Sequence, residues 1–300
     1  MRIAVTGGSG FLGRWVVKAL MDEGHEVVSL DITGNSGIRV NLTVYSHTKS
    51  ALAQSRAEVV IHLAALAGAA GKGGGVESFK DPYGFVHVNV LGTLNVLESC
   101  RELGIKKVEI MSSFSPYGKA SCPITESTRL CPENPYGASK ACLETIAKVY
   151  ARCYGIKTLV FRVPLICGEG QKEMNALREF VACAIKGEPL VVWGDGTTLR
   201  EFVHPSDVAR AYLLGLDYLG KTSRDYDVFV LGNRPVTMGE LAMLVRMKVG
   251  RGEVKLLREK PRLFDQYTSR GKVETRLGWV PKMGVEEIIE RVVREMMVVA

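Results

Sequence analysis

The stretch Thr6-Gly7-Gly8-Ser9-Gly10-Phe11-Leu12-Gly13 constrains this chain more than any other. It lies between a short apolar run, residues 2–5, and an amphipathic pattern over residues 12–22, so it joins a strand to a helix. It satisfies both Gly-x-x-Gly-x-x-Gly (7, 10, 13) and Gly-x-Gly-x-x-Gly (8, 10, 13). Such a turn needs glycine to reverse tightly, to let backbone approach a pyrophosphate, and to pack helix on strand. The helix N-terminus beyond it offers free N–H groups to phosphate charge. A glycine pattern alone is weak. Its place in the first strand–turn–helix unit predicts a dinucleotide site.

Asp31 strengthens that reading. It ends the next expected strand, residues 26–31, and stands 18 positions after Gly13. A carboxylate there suits the ribose 2′-hydroxyl of NAD and repels the 2′-phosphate of NADP. Asp31 also precedes Thr33-Gly34-Asn35, where an aspartate could simply form a turn. Ile32 supplies no neighbouring cation, so NAD is preferred.

The alternation continues down the chain, with further strands expected over 59–63, 107–112 and 157–163 and helices over 86–103 and 136–154. Strands alternating with helices imply βαβ units and an α/β fold, a doubly wound parallel sheet of Rossmann type. The runs Val59-Val60-Ile61 and Thr158-Leu159-Val160-Phe161 suit strands buried on both faces. Beyond Gly168 the alternation weakens, which predicts a smaller C-terminal α/β lobe. The expected division is 1–165 for the first domain and mainly the second lobe over 166–300, with 200–220 packing back onto the first. Residues 68–75 are too glycine-rich for a stable helix and read as a mobile loop, either closing over a ligand or simply connecting. Residues 115–135 carry Pro116, Pro123, Pro132 and Pro135 and read as irregular.

Tyr136 and Lys140, four residues apart, share one helix face. An ammonium beside a phenol favours the phenolate, drawing a pKa of about 10 towards the range of a general base. Tyr-x-x-x-Lys alone is common on amphipathic helices. Behind a dinucleotide turn, with Ser113 at a strand end 23 residues earlier, it becomes a candidate reaction centre.

Composition excludes more than it selects. With 46% hydrophobic and 24% charged residues, the 300-residue chain can bury a core of useful size. The formal charge of +7 suits either an anionic ligand or a solvated surface rich in Lys and Arg. No basic block interleaved with aromatics argues for nucleic acid. The seven cysteines form no Cys-x-x-Cys pair, and with five scattered histidines they offer no metal-binding spacing. No segment approaches the roughly 20 apolar residues of a membrane span. Met1-Arg2 runs straight into an apolar strand without a leader pattern. A soluble cytoplasmic protein with reduced thiols is the expectation.

Together these residues resemble the extended short-chain dehydrogenase/reductase family, and within it the NAD-dependent nucleotide-sugar epimerases and dehydratases. The resemblance runs nearly end to end. Thr6–Gly13 resembles the family's cofactor turn, His62-Leu63-Ala64-Ala65 its strand end beside the cofactor, and Asn89-Val90-Leu91-Gly92-Thr93 the following helix signature. Ser112-Ser113-Phe114-Ser115-Pro116-Tyr117-Gly118 resembles the strand carrying the catalytic Ser/Thr, and Ser113, four before Tyr117, takes that place. The segment from Trp193 to Ala209, with Arg200 at its centre, is similar to one diagnostic of nucleotide-sugar members; Lys272 and Leu277-Gly278-Trp279-Val280-Pro281 match a C-terminal signature.

The resemblance implies a set of roles. Ser113, Tyr136 and Lys140 would be catalytic. Gly7, Gly10, Phe11, Leu12, Gly13, Asp31, Leu63, Ala64, Ala65 and Asn89 would hold NAD together with Tyr136 and Lys140. Arg200 would bind the substrate diphosphate, with Arg258 as a second such arginine and Asn175 as a further substrate contact. The family often has an asparagine where Leu165 stands and an aspartate where Ser269 stands, departures that bear on substrate more than on reaction type. Dehydratases carry an Asp-Glu pair directly after the catalytic Ser/Thr, and elimination of water needs such a pair. Here those positions are Phe114 and Ser115, which argues against dehydration.

The implied activity is a UDP-sugar 4-epimerase, UDP-glucose/UDP-galactose being the first pair to test, acting through a transient 4-keto sugar. A net dehydrogenase or reductase on a nucleotide sugar is the alternative within oxidoreductases. A non-catalytic NAD-sensing protein is the alternative outside them. On spacing, the apolar faces of 86–103 and 136–154 suit core; the resemblance implies instead that these helices pair in a homodimer.

Overall fold

A computed structural model of the chain describes residues 1–33, 37–67 and 76–299. The expected glycine-rich loop at 68–75 and the turn at Gly34-Asn35 lie outside the described residues. The strands are β1 Arg2–Thr6, β2 Glu26–Asp31, β3 Gly37–Arg39, β4 Val59–His62, β5 Lys107–Ser113, β6 Lys157–Val163, β7 Leu165–Ile166, β8 Leu190–Trp193, β9 Leu199–Arg200, β10 Phe202–Val203, β11 Tyr226–Val230, β12 Val236–Thr237 and β13 Val254–Leu257. The helices are α1 Phe11–Asp22, α2 Tyr45–Ser55, α3 Val76–Lys80, α4 Pro82–Val86, α5 Gly92–Leu103, α6 Pro135–Tyr154, α7 Ala176–Lys186, α8 Pro205–Lys221, α9 Met238–Val249, α10 Gly271–Leu277 and α11 Val285–Val299.

Seven strands form one sheet in the order β11-β6-β5-β4-β1-β2-β3, every neighbouring pair parallel. The doubly wound parallel sheet expected from the alternation is therefore present. Parallel strands need covering on both faces, and two separate apolar clusters provide it. One joins Val16 and Leu20 of α1 to Tyr212 and Leu216 of α8, over Ile3, Val5 and Phe161. The other joins Leu52 of α2, Leu97 of α5 and Leu143 of α6, over Ala4, Val60 and Val108. A third cluster, built from α7, α9, α11 and β8, lies beyond the sheet and forms the core of the smaller lobe.

Where structure and sequence reading differ, the causes are local. The helix expected over 86–103 begins earlier, at Pro82, with Asp81 capping it by accepting from Gly84 N at 2.8 Å. It then carries one π turn, His87–Leu91, before α5. β3 was not foreseen because three residues are too few for a periodicity. β11, within the segment expected to form mainly the second lobe, joins the main sheet beside β6. In α8, Val208 and Tyr212 pack into the same cluster as Val16 and Leu20 of α1.

Candidate active site

Strand order reverses between β1 and β4, where open α/β sheets bind ligands outside the carboxyl ends of their strands. A cleft of about 1170 Å³ opens there. That exceeds the roughly 300–1,000 Å³ of a site for one small ligand. It leaves room for a cofactor and a second molecule.

The glycine turn forms one end. Gly7 has φ +71°, and a Cβ on it would come within 2.8 Å of Ala64 N. A Cβ on Gly13 would lie 2.0 Å from the carbonyl oxygen of Gly7, so helix and turn meet only without side chains. Gly10 precedes α1, whose first turn holds no side-chain cap and no acidic residue. Gly10, Phe11, Leu12 and Gly13 line the cleft, leaving the helix N-terminus open to an anion. Asp31 lines it too, its carboxylate accepting from Ser9 N at 3.0 Å and from Thr33 N and Oγ1 at 3.3 Å. β3 brings Arg39 opposite Asp31 in register, a cation the sequence reading did not place beside it.

Leu63, Ala64 and Ala65 form the adjoining wall. Asn89 stands behind that wall rather than on it. Buried in the π turn, it accepts from Leu66 N at 2.8 Å and donates to Leu66 O at 3.1 Å and Ser139 Oγ at 3.0 Å. Ser139 in turn donates to Tyr136 O at 2.8 Å, so Asn89 ties the end of β4 to α6.

Ser113, Tyr136 and Lys140 meet on the same cleft wall. Asn134 caps α6 by accepting from Gly137 N at 2.7 Å and also accepts from Ser115 Oγ at 3.2 Å, which places Tyr136 in the first helical turn against the end of β5. Lys140, one turn on, is buried and donates from Nζ to Met111 O at 3.0 Å. The expectation that Lys140 draws the phenol of Tyr136 downwards is not met. Burial raises it, and the opposing effect comes from a hydrogen bond with Ser113. Lys140 itself is pulled down to about 8 by burial, partly offset by the Glu144 carboxylate. Its Nζ lies 6.0 Å from the centre of the Tyr136 ring and is committed to a carbonyl.

Arg200 lines the far side, with Nη1 donating to Leu199 O at 2.8 Å and Phe264 O at 2.6 Å. A guanidinium has five N–H donors, so capacity remains. Burial works against its charge, with Asp265 opposing, so an anion beside it is favourable. Asn175 also reaches the cleft, but its side chain caps α7 by accepting from Arg178 N at 3.1 Å and donates to Gln171 Oε1 at 3.1 Å. Arg258 follows β13 on an exposed turn and does not line the cleft. Leu165, where asparagine is usual, does line it. The sequence reading missed Glu201, Leu263, Phe264 and Gln266 on this wall. Glu201 follows Arg200 in a segment already singled out; 263–266 carried no signal.

Among the described residues no group of three or more His, Cys, Asp or Glu is arranged to hold a metal, and no helix is long and apolar enough to cross a membrane.

A dinucleotide turn at the switch point, facing a Ser–Tyr–Lys wall, defines a class of NAD-linked enzymes. Residues 3–232 match the NAD dependent epimerase/dehydratase family, and the chain belongs to it. It is 31% identical to a protein of Methanocaldococcus jannaschii described as a putative UDP-glucose 4-epimerase, over 98% of each chain. It is 27% identical to the UDP-glucuronate 4-epimerase of Thermodesulfobacterium geofontis, over 96% of this chain and 94% of that one. The UDP-glucose 4-epimerase of Thermus thermophilus, solved in complex with NAD, superposes with a TM-score of 0.85 at 30% identity, covering 99% of both chains.

Proposed function

We propose that this NAD-dependent enzyme is a UDP-sugar 4-epimerase that interconverts UDP-glucose and UDP-galactose through a transient 4-keto sugar. The observation that carries the reading is the convergence of Ser113, Tyr136 and Lys140 on one wall of a cleft whose ends are the glycine turn and Arg200. The chain's residues fit the cofactor. Gly7 and Gly13 let the turn close against Ala64 and the start of α1 where any Cβ would collide, the open α1 N-terminus suits a pyrophosphate, and Asp31 suits a ribose hydroxyl.

In this reading Tyr136 takes the proton of the sugar 4-hydroxyl and later returns it. Ser113 holds the same oxygen, and Lys140, whose bond to Met111 O leaves two N–H donors, would hold the cofactor's ribose. Bound NAD supplies the hydride acceptor and a positively charged ring, which the raised phenol of Tyr136 calls for. Arg200 holds the diphosphate, using the fork of donors that matches phosphate oxygens. Phe114 and Ser115, the two residues after Ser113, do not supply the acid/base pair that elimination of water requires.

A neutral hexose suits the Ser113 end of the cleft better than a hexuronate. Phe114 and Gly118 line it and offer a sugar carboxylate no cation. Pairing of two copies through the helices over 86–103 and 136–154 is supported by the exposed Val86 and Val149. Seven free thiols support a reducing, cytoplasmic setting.

The test is incubation with NAD and a panel of UDP-, dTDP- and GDP-sugars including UDP-glucuronate, with products resolved by chromatography. Interconversion of UDP-glucose and UDP-galactose without net NADH is the expected result. Stoichiometric NADH would make the chain a dehydrogenase, and turnover of UDP-glucuronate alone would overturn the substrate. Light scattering at micromolar protein reports the dimer.

A further inference from the structure

Directly behind the Ser113–Tyr136–Lys140 wall sits a buried ion pair that the proposed chemistry does not use. Glu144 lies one turn after Lys140 on α6 and Arg162 on β6, 3% and 6% exposed. Arg162 donates from Nε to both Glu144 oxygens at 3.1 Å and from Nη2 to Oε2 at 2.7 Å. Its Nη1 donates to Tyr117 Oη at 2.8 Å and to Glu126 O at 3.2 Å. Ser112 completes the set, donating from Oγ to Glu144 Oε1 at 2.5 Å.

Taking two charges out of water costs several kcal/mol each, and such pairs are often no more stabilising than apolar residues of the same volume. Stability alone is therefore a poor reason for this one. Its placement suggests another. Lys140 grips the carbonyl of Met111 and Glu144 grips the hydroxyl of Ser112, so successive turns of α6 hold successive residues of β5 just before Ser113. The charged and titratable groups around Lys140 are Tyr136 and Glu144 on its own helix, His62 from β4 and Arg162 from β6. Among them Glu144 is the carboxylate.

We propose that Glu144 is a positioning residue: paired with Arg162, it holds its carboxyl group one helical turn from Lys140 and, through Ser112, fixes the strand end that presents Ser113. This rests on reading Tyr136 and Lys140 as the reaction centre. The burial that pulls Lys140 towards neutrality is opposed by Glu144. Without it the lysine would release its proton closer to neutral pH.

The test reads the lysine directly, without turnover. In protein labelled with carbon-13 at lysine Cε, the Lys140 resonance, assigned with Lys140→Arg, is followed by NMR against pH. Glu144→Gln keeps an acceptor for Ser112 but strands a buried guanidinium, so the variant studied is the double Glu144→Gln/Arg162→Met, with Glu144→Asp as the charge-retaining control. The expected result is a Lys140 midpoint about one pH unit lower in the double variant, tenfold in proton affinity, and within about 0.3 unit of wild type in Glu144→Asp. The alkaline limb of kcat should move with the midpoint in the double variant and stay in place in Glu144→Asp. An unchanged midpoint in the double variant overturns the proposal, as does an equal fall in Glu144→Asp. Because the titration needs no sugar, failure of the epimerase reading leaves this result intact and separable.

Discussion

His62 Nδ1 lies 2.7 Å from Thr6 Oγ1, joining β4 to β1 beside the cofactor turn. On the other side of the ring, Nε2 lies 2.9 Å from Thr93 Oγ1, and that hydroxyl donates to Asn89 O at 2.6 Å. A hydroxyl has one proton, so Thr93 accepts from Nε2–H and Nδ1 accepts from Thr6. The imidazole is neutral, and burial, with the Lys140 charge adding to it, pushes it down to about 3.

The sign of the pH effect follows. In the unfolded chain this histidine protonates near pH 6.5, and in the fold only near 3. Its contribution is complete above about pH 6.5 and is lost as pH falls towards 3, by up to ~1.4 kcal/mol per unit. Urea unfolding at pH 7 and pH 5 should therefore show a smaller acid loss for His62→Gln than for wild type. At pH 7 the variant should be less stable by about 1–2 kcal/mol, from broken hydrogen bonds.

Glu109 on β5 and Tyr212 on α8 predict the opposite slope. Neither carboxylate oxygen nor the phenol has a hydrogen-bond partner among the described residues, and burial raises Glu109 well above the usual carboxylate range. A carboxyl held protonated in the fold contributes fully below its unfolded pKa of about 4.3 and loses that contribution as pH rises. Glu109→Gln keeps the shape without the proton. Thermal melts from pH 5 to 8 should show wild type losing stability relative to the variant, at about 1.4 kcal/mol per unit until the folded pKa is reached.

Tyr136→Phe removes one hydroxyl and little volume. Turnover should fall by at least about 10³-fold, at the upper end for loss of a general base. NAD affinity, measured by calorimetry, should stay within a few-fold. Rates close to wild type would remove Tyr136 from the reaction.

Asp31, on the cleft, is the register partner of Arg39, whose Nε donates to Ile32 O at 3.1 Å and whose other donors remain for an anion at the site proposed for the ribose. Replacing Asp31 by serine removes the charge that repels a 2′-phosphate and leaves Arg39 to attract it. The ratio of NAD to NADP affinity should drop by about tenfold or more, ~1.4 kcal/mol of discrimination. Titration of both cofactors into the variant checks it.

Much of this was legible in the chain itself. The glycine turn was, because a Cβ at Gly13 has nowhere to go within a segment of seven residues. Tyr136 and Lys140 were, because helical periodicity alone puts them on one face. Asn89 was singled out, but its burial behind the wall was not visible, since that depends on Leu66 and Ser139 arriving from elsewhere. Leu263 to Gln266 left no trace, because their place on the cleft follows from bonds of Thr198 and Leu199 to a segment more than 60 residues away.

Sequence by itself determined the βαβ order, the glycine turn and the shared helix face of Tyr136 and Lys140, all of them set by contacts close along the chain or by backbone sterics. The tertiary structure alone decided the protonation environment: a raised Tyr136, a lowered Lys140 and a neutral His62. Those states depend on how much water each group loses and which charge comes to lie beside it. Folding fixes both by bringing together residues that are far apart in the chain.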